Sequence, residues 1–172
     1  MKRAMIGLAA LLVMVSLAVP AFSAGEEQEK FGANVGEKIK PFTLPDPTSA
    51  KSYGIKDLAV GGKDVALVFM QSACTLCVAE ISEFVTAADD FQGKLNVALV
   101  SVDFDAARLK PYKEAYKIPF PILHDKEAQV IDSVKIAATP AIVVFDAKGV
   151  IVKKIDGYNR AEVKGLVKSY SK

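Results

Sequence analysis

Apolar and polar residues fall along this chain in blocks that change period. Asp64 to Met70 (DVALVFM) is an almost unbroken apolar run, the mark of a strand buried on both faces. Leu95 to Val102 (LNVALVSV) repeats that pattern. Between them, Thr75 to Phe91 spaces its apolar residues helically, with Leu76, Ala79, Phe84, Val85 and Ala88 as the expected stripe. Ala106 to Tyr116 predicts a second helix, shortened or kinked by Pro111. A short strand over Phe120–Leu123 and a short helix over Lys126–Val134 follow. Ala141 to Phe145 predicts another strand, Asp146 to Gly149 a turn, and Val150 to Ile155 the hairpin partner. Asn159 is placed to cap a last helix that ends near Tyr170.

Upstream, Pro41, Pro45 and Pro47 exclude a helix, so Thr43–Pro47 and Lys51–Leu58 read as short strands or turns. Gly61-Gly62 is a break. From Gly62 onward the order is β-α-β-α-β-α-β-β-α. That alternation predicts an α/β fold with a mixed central sheet, helices on its faces and antiparallel strands closing one side.

The N-terminus has its own pattern. Lys2 and Arg3 precede an apolar run from Ala4 to Val19, then Pro20 and the small-residue stretch Ala21-Phe22-Ser23-Ala24. This is the layout of a secretory signal, with cuts after Ala21, Ser23 or Ala24 all open. An uncleaved anchor is the alternative, although the run is shorter than the roughly 20 apolar residues that span a bilayer. Either way the expected location is extracytoplasmic, with the periplasm as the expected compartment. The domains expected are a leader over 1–24, a mobile polar lead-in over 25–40 and one folded domain over 41–172. The chain's 172 residues and 51% hydrophobic content suit that division. Setting aside Lys2 and Arg3 brings the 22 basic residues level with the 20 acidic ones, so the formal charge of +2 belongs to the leader. No basic cluster argues for nucleic-acid binding.

The two cysteines form Cys74-Thr75-Leu76-Cys77, between a buried strand and the start of a helix. A helix's first turn has unpaired N–H groups and a partial positive charge. A Cys74 thiolate is stabilised there, so its pKa is expected below the free value of about 8.5. Cys77, one turn inside, is expected to be shielded and to resolve the mixed disulfide formed at Cys74. Three plainer readings compete. A structural disulfide across so small a loop gains little, about 2 kcal/mol. Zinc usually needs four ligands, and the only histidine is His124. Haem attachment needs His after the second Cys, where Val78 stands.

The stretch Asp64 to Glu80 (DVALVFMQSACTLCVAE), the pair Thr139-Pro140 and the segment Ala141 to Val152 (AIVVFDAKGVIV) resemble the thioredoxin superfamily. The branch they resemble is the exported redoxins, among them thiol reductases that serve cytochrome c maturation and the alkyl hydroperoxide reductase–thiol-specific antioxidant relatives. The resemblance runs from about Gly36 to the C-terminus. It implies a thioredoxin-like fold with an N-terminal extension and an inserted strand–helix unit around residues 103–123. It implies that Pro140 is cis beside the Cys pair, and that the Thr139 backbone pairs with a bound polypeptide. It implies that Glu80, three residues after Cys77, tunes the thiols; a solvated or Lys-paired helix Glu is the plainer reading. The implied activity is thiol–disulfide exchange on protein substrates, in the reducing direction, with electrons from a membrane thiol carrier. No cofactor is implied beyond the Cys74–Cys77 disulfide itself. The chain departs from the family in having Ser72-Ala73 where Trp often precedes the first Cys, and Thr75 and Leu76 between the cysteines.

Two other functions remain. A peroxiredoxin-type peroxidase wants Thr three residues before its Cys and Pro four residues earlier, whereas Gln71 and Leu67 hold those places for Cys74, and Cys74 and Met70 hold them for Cys77. Its peroxide-polarising arginine would be Arg108 or Arg160. A non-enzymatic binding module is the third reading. Of the other residues, His124 is expected to cap the helix near Asp125, and Asp103 and Asp105 to solvate a loop. Tyr112, Tyr116 and Tyr158 either edge a peptide groove or lie at amphipathic surface positions.

Overall fold

The computed structural model describes residues 31–91 and 93–171. The expected leader over 1–24 and the first part of the lead-in lie outside the described residues.

The elements in chain order are β1 (Thr43–Asp46), β2 (Lys51–Gly54), α1 (Ile55–Leu58), β3 (Asp64–Met70), α2 (Thr75–Thr86), β4 (Leu95–Ser101), α3 (Leu109–Ala115), β5 (Ile122–His124), α4 (Gln129–Ser133), β6 (Ala141–Phe145), β7 (Ile151–Asp156) and α5 (Arg160–Tyr170). The main sheet has five strands in the order β5-β4-β3-β6-β7. β3, β4 and β5 run parallel, while β6 lies antiparallel to β3 and β7 antiparallel to β6. β1 and β2 form a separate antiparallel pair. This is a mixed α/β sheet of the thioredoxin-like type. The inserted unit is α3 with β5, and β5 adds an edge strand beside β4.

β3 occupies the centre because its side chains are apolar in both directions. Ala66, Val68 and Met70 pack on one face with Ile81 and Phe84 of α2, Leu109 and Tyr112 of α3 and Val163 of α5. Val65, Leu67 and Phe69 pack on the other face with Leu44, Leu58 and the α4 residues Val130 and Ile131. The alternation of directions along a strand sends successive residues into two cores.

Several local expectations shift. The helix expected over Thr75–Phe91 stops at Thr86, and a 3-10 turn covers Ala88–Phe91. Its buried face is Cys77, Glu80, Ile81 and Phe84, whereas Leu76 is 55% exposed. Cys77 packs as a small apolar residue and Glu80 is buried with it, which turns the helix away from the apolar stripe read in the sequence. The strand expected over Phe120–Leu123 is displaced to Ile122–His124. Pro121 has no N–H for the ladder, though its carbonyl accepts from Leu99 N at 3.0 Å. Lys51–Leu58 divides into a strand and the one-turn α1, where Asp57 Oδ2 accepts from Gly54 N at 2.8 Å. The cap near α4 is Asp125, not His124: Asp125 Oδ2 accepts from Val130 N at 2.9 Å and from Ile131 N at 3.0 Å.

Residues 31–40, read as mobile lead-in, are docked. Ile39 is 1% exposed, and its N–H donates to Gly149 O at 2.9 Å. Gly36 N donates to Ile151 O at 2.8 Å, and Ile151 N to Glu37 O at 2.9 Å. The β6–β7 turn that receives this segment needs Gly149, whose φ of +83° is left-handed. An isolated Ile39 among polar neighbours has no periodicity, so the sequence pattern did not reveal that it is a core residue.

Candidate active site

β3 ends at Met70, and a tight turn follows in which Cys74 N donates to Gln71 O at 3.0 Å. Cys74 is then the N-cap of α2, with extended backbone (φ −90°, ψ 108°). Its Sγ accepts from the Cys77 backbone N–H at 3.1 Å, one of the helix's otherwise unpaired donors. Cys74 and Cys77 are joined by a disulfide, with Cα atoms 5.2 Å apart. Cys74 is partly exposed and Cys77 fully buried, so an incoming sulfur can reach only the first. Thr75 and Leu76 between them face solvent.

The Thr139-Pro140 bond is cis. Pro140 is buried and Thr139 half-buried. Because Phe69 pairs with Ala141 in the antiparallel β3–β6 register, Pro140 lies at the same end of the sheet as the turn leading to Cys74.

Glu80 lies one turn beyond Cys77 on the buried face of α2. It is fully buried, and neither carboxylate oxygen has a hydrogen-bond partner among the described residues. Burial pushes its pKa up from 4.5 to about 8, so the carboxyl holds its proton at neutral pH. The plainer reading, a solvated or Lys-paired Glu, does not describe this residue.

Asp103, a loop-solvating residue by its sequence position, is instead 7% exposed and bound to the turn before Cys74. Its carboxylate accepts from Ser72 N at 2.8 Å and Ser72 Oγ at 2.7 Å. Ser101 Oγ donates to the same carboxylate at 2.8 Å. Ser72 and Asp103 are 31 positions apart, and only the parallel β3–β4 pairing brings the two strand ends together. The sequence signal available was a Ser and an Asp just past two adjacent buried strands, a place where α/β sheets gather functional groups. His124 sits at the end of β5, its Nε2 at 2.8 Å from Asp103 O. Asp105 does act as a loop residue, its Oδ1 accepting from Ala107 N at 2.9 Å.

The three tyrosines separate. Tyr112 is buried in the core beneath α3, and burial, Tyr116 and Asp103 push its hydroxyl pKa up to about 12. Tyr158 packs against the core edge. Tyr116 alone lines a groove of about 460 Å³ with Ser72, Cys74 and Val78. Arg160 pairs with Glu83 at 3.3 Å, while Arg108 lines a neighbouring groove that also includes Ser72 and Tyr116.

The AhpC/TSA family profile matches residues 35–154. The thiol-disulfide oxidoreductase ResA of Oceanobacillus iheyensis is 26% identical over 150 residues, covering 86% of this chain and 78% of the relative. The thioredoxin-like protein YneN of Bacillus subtilis is 28% identical over 129 residues, covering 72% of each chain. Among solved structures, a protein from Chlorobium tepidum described as a DsbE thiol:disulfide interchange protein superposes with a TM-score of 0.71. It is 18% identical and covers 80% of this chain and 95% of its own, so it speaks to the fold alone. With its profile match spanning most of the domain and a Cys74–Cys77 disulfide at a helix N-cap, the chain belongs to the AhpC/TSA family within the thioredoxin superfamily.

Proposed function

We propose that this protein is an extracytoplasmic thiol–disulfide oxidoreductase that reduces disulfides in exported proteins. The observation that carries the reading is the asymmetry of the Cys pair: a partly exposed Cys74 at the N-cap, its Sγ bonded to Cys77 N–H, and Cys77 fully buried behind it. In the reduced protein the Cys74 thiolate is stabilised by that N–H and by the helix's positive end. It attacks one sulfur of a substrate disulfide, and the other substrate sulfur leaves as a thiolate that takes a proton. Cys77 then loses its proton and attacks Cys74 Sγ, releasing the second substrate thiol and leaving the Cys74–Cys77 disulfide. Two electrons pass from the pair to the substrate.

Glu80 is suited to receive the Cys77 proton when ionised and to return it when the pair is reduced again. Its pKa of about 8 lies near an ordinary thiol's, so neither direction of transfer is steeply uphill. The Thr139 backbone beside cis-Pro140 supports pairing with an extended substrate segment. The leader pattern supports export, and the resemblance to exported reductases supports the reducing direction, a membrane thiol carrier as electron source and apocytochrome cysteines as one substrate class. No helix among the described residues is long and apolar enough to cross a membrane.

Trapping tests the reading. The Cys77→Ser protein, incubated with exported proteins from its host, accumulates mixed disulfides at Cys74 that mass spectrometry identifies. Cys74→Ser abolishes reduction of a protein disulfide. Partner function left intact in Cys74→Ser, with no reductase activity in the parent, removes the proposal and favours a binding module.

A further inference from the structure

The turn entering the Cys pair is held by a buried carboxylate that plays no part in the exchange steps above. Ser72 gives Asp103 both of its hydrogen-bond donors, at 2.8 and 2.7 Å. Ser101 Oγ adds a third donor at 2.8 Å, and Asp103 N donates back to Ser101 Oγ at 3.1 Å. The Asp103 carbonyl is engaged by His124 Nε2 at 2.8 Å. Val102 N donates to Met70 O at 3.1 Å, so the backbone ladder runs up to the clamp on both strands. Neutral donors thus hold this carboxylate, and no basic side chain pairs with it among the described residues. It binds the residue two positions before Cys74.

We propose that Asp103, acting through Ser72, is a positioning residue that biases the Cys pair toward its disulfide and so strengthens the reduced protein as an electron donor. This rests on the redox reading of the pair. Two effects act in the same direction. The clamp fixes the turn from which Cys74 projects, which keeps Sγ at the N-cap and within reach of Cys77. Restraining two reacting groups in bonding geometry raises their effective concentration and favours closure. The negative charge is also bound to the turn that carries a cysteine, anionic when reduced and neutral when oxidised. Its field raises the energy of the thiolate and leaves the disulfide untouched. Removing the clamp or its charge therefore favours the dithiol.

The test is the equilibrium of the whole protein with glutathione. The protein dithiol and glutathione disulfide convert to the protein disulfide and two molecules of glutathione, and two electrons and two protons leave the Cys pair. Asp103→Asn keeps the size and one acceptor oxygen but removes the charge. Ser72→Ala removes one donor and keeps the charge. Asp103→Asn is expected to shift the equilibrium about three- to tenfold toward the dithiol, tenfold corresponding to about 30 mV. Ser72→Ala shifts it less and in the same direction. Because both variants loosen the same Ser72–Asp103 clamp, the double variant shifts it by less than the sum of the two single shifts. A purely structural role gives another result: Tm falls equally in the oxidised and reduced forms, and the equilibrium constant stays at the parent value. That result overturns the proposal. Should Asp103→Asn not fold, Ser72→Ala decides the matter by the same comparison. A parent protein that cannot reduce protein disulfides sinks the proposed function instead, and leaves the glutathione comparison valid.

Discussion

Replacing Glu80 with Gln removes a buried acid whose ionisation the fold resists. Glu80 has no hydrogen-bond partner among the described residues and is fully buried, and burial lifts its pKa from 4.5 to about 8. The unfolded chain releases this proton near pH 4.5, while the folded protein keeps it until about pH 8. Between those values the folded state binds one more proton, so stability falls as pH rises. At roughly 1.4 kcal/mol per pH unit, the penalty is on the order of 3 kcal/mol by pH 7 and about 5 once the folded carboxyl ionises. Gln carries no such penalty at any pH. The assay is urea unfolding of the oxidised protein and of Glu80→Gln at pH 5, 6, 7, 8 and 9. The variant's stability relative to the parent is expected to climb steadily from pH 5 to about 8 and to level off above it. The local cost or gain of fitting an amide displaces the whole curve without changing its slope. A difference that stays flat from pH 5 to 8 refutes the argument, because it means that Glu80 ionises in the folded state as it does in water.

Phe84→Ala empties a fully buried site between the sheet and α2, where Phe84 also meets Phe91 with ring centroids 6.1 Å apart, and should cost about 3–5 kcal/mol in chemical denaturation. Asn159→Ala removes the cap of α5, whose Oδ1 accepts from Ala161 N at 3.1 Å and Glu162 N at 3.3 Å, and should cost about 1 kcal/mol by the same measurement.

The central architecture was legible because its signals are local. Asp64–Met70 and Ala141–Phe145 are strands within the bounds their apolar runs suggest, and Asn159 caps the last helix as its side-chain chemistry indicates. The Cys pair's place at a strand–helix junction could also be read, because both neighbouring elements announce themselves. The surroundings of the other site residues depend on contacts between distant segments, which the sequence does not display. Asp103 and Ser72 each look like ordinary loop residues, and only strand pairing makes them partners. Glu80 reads as a helix-surface acid by composition, yet the rotation of α2 needed to bury Cys77 and Ile81 carries it inward as well. His124 and Asp125 are adjacent, and nothing in the sequence says which of them will face the following helix.

The docking of residues 31–40 onto the β6–β7 turn has a geometric consequence. That turn lies at the end of the main sheet where β3 begins, since Val65 pairs with Phe145, whereas Cys74 follows the opposite end of β3. Seven residues of strand separate the two poles by about 23 Å. The first described residues therefore join the fold at the pole of the sheet opposite its reactive sulfurs, and a partner could engage the sulfur pole without crossing the segment that precedes the domain.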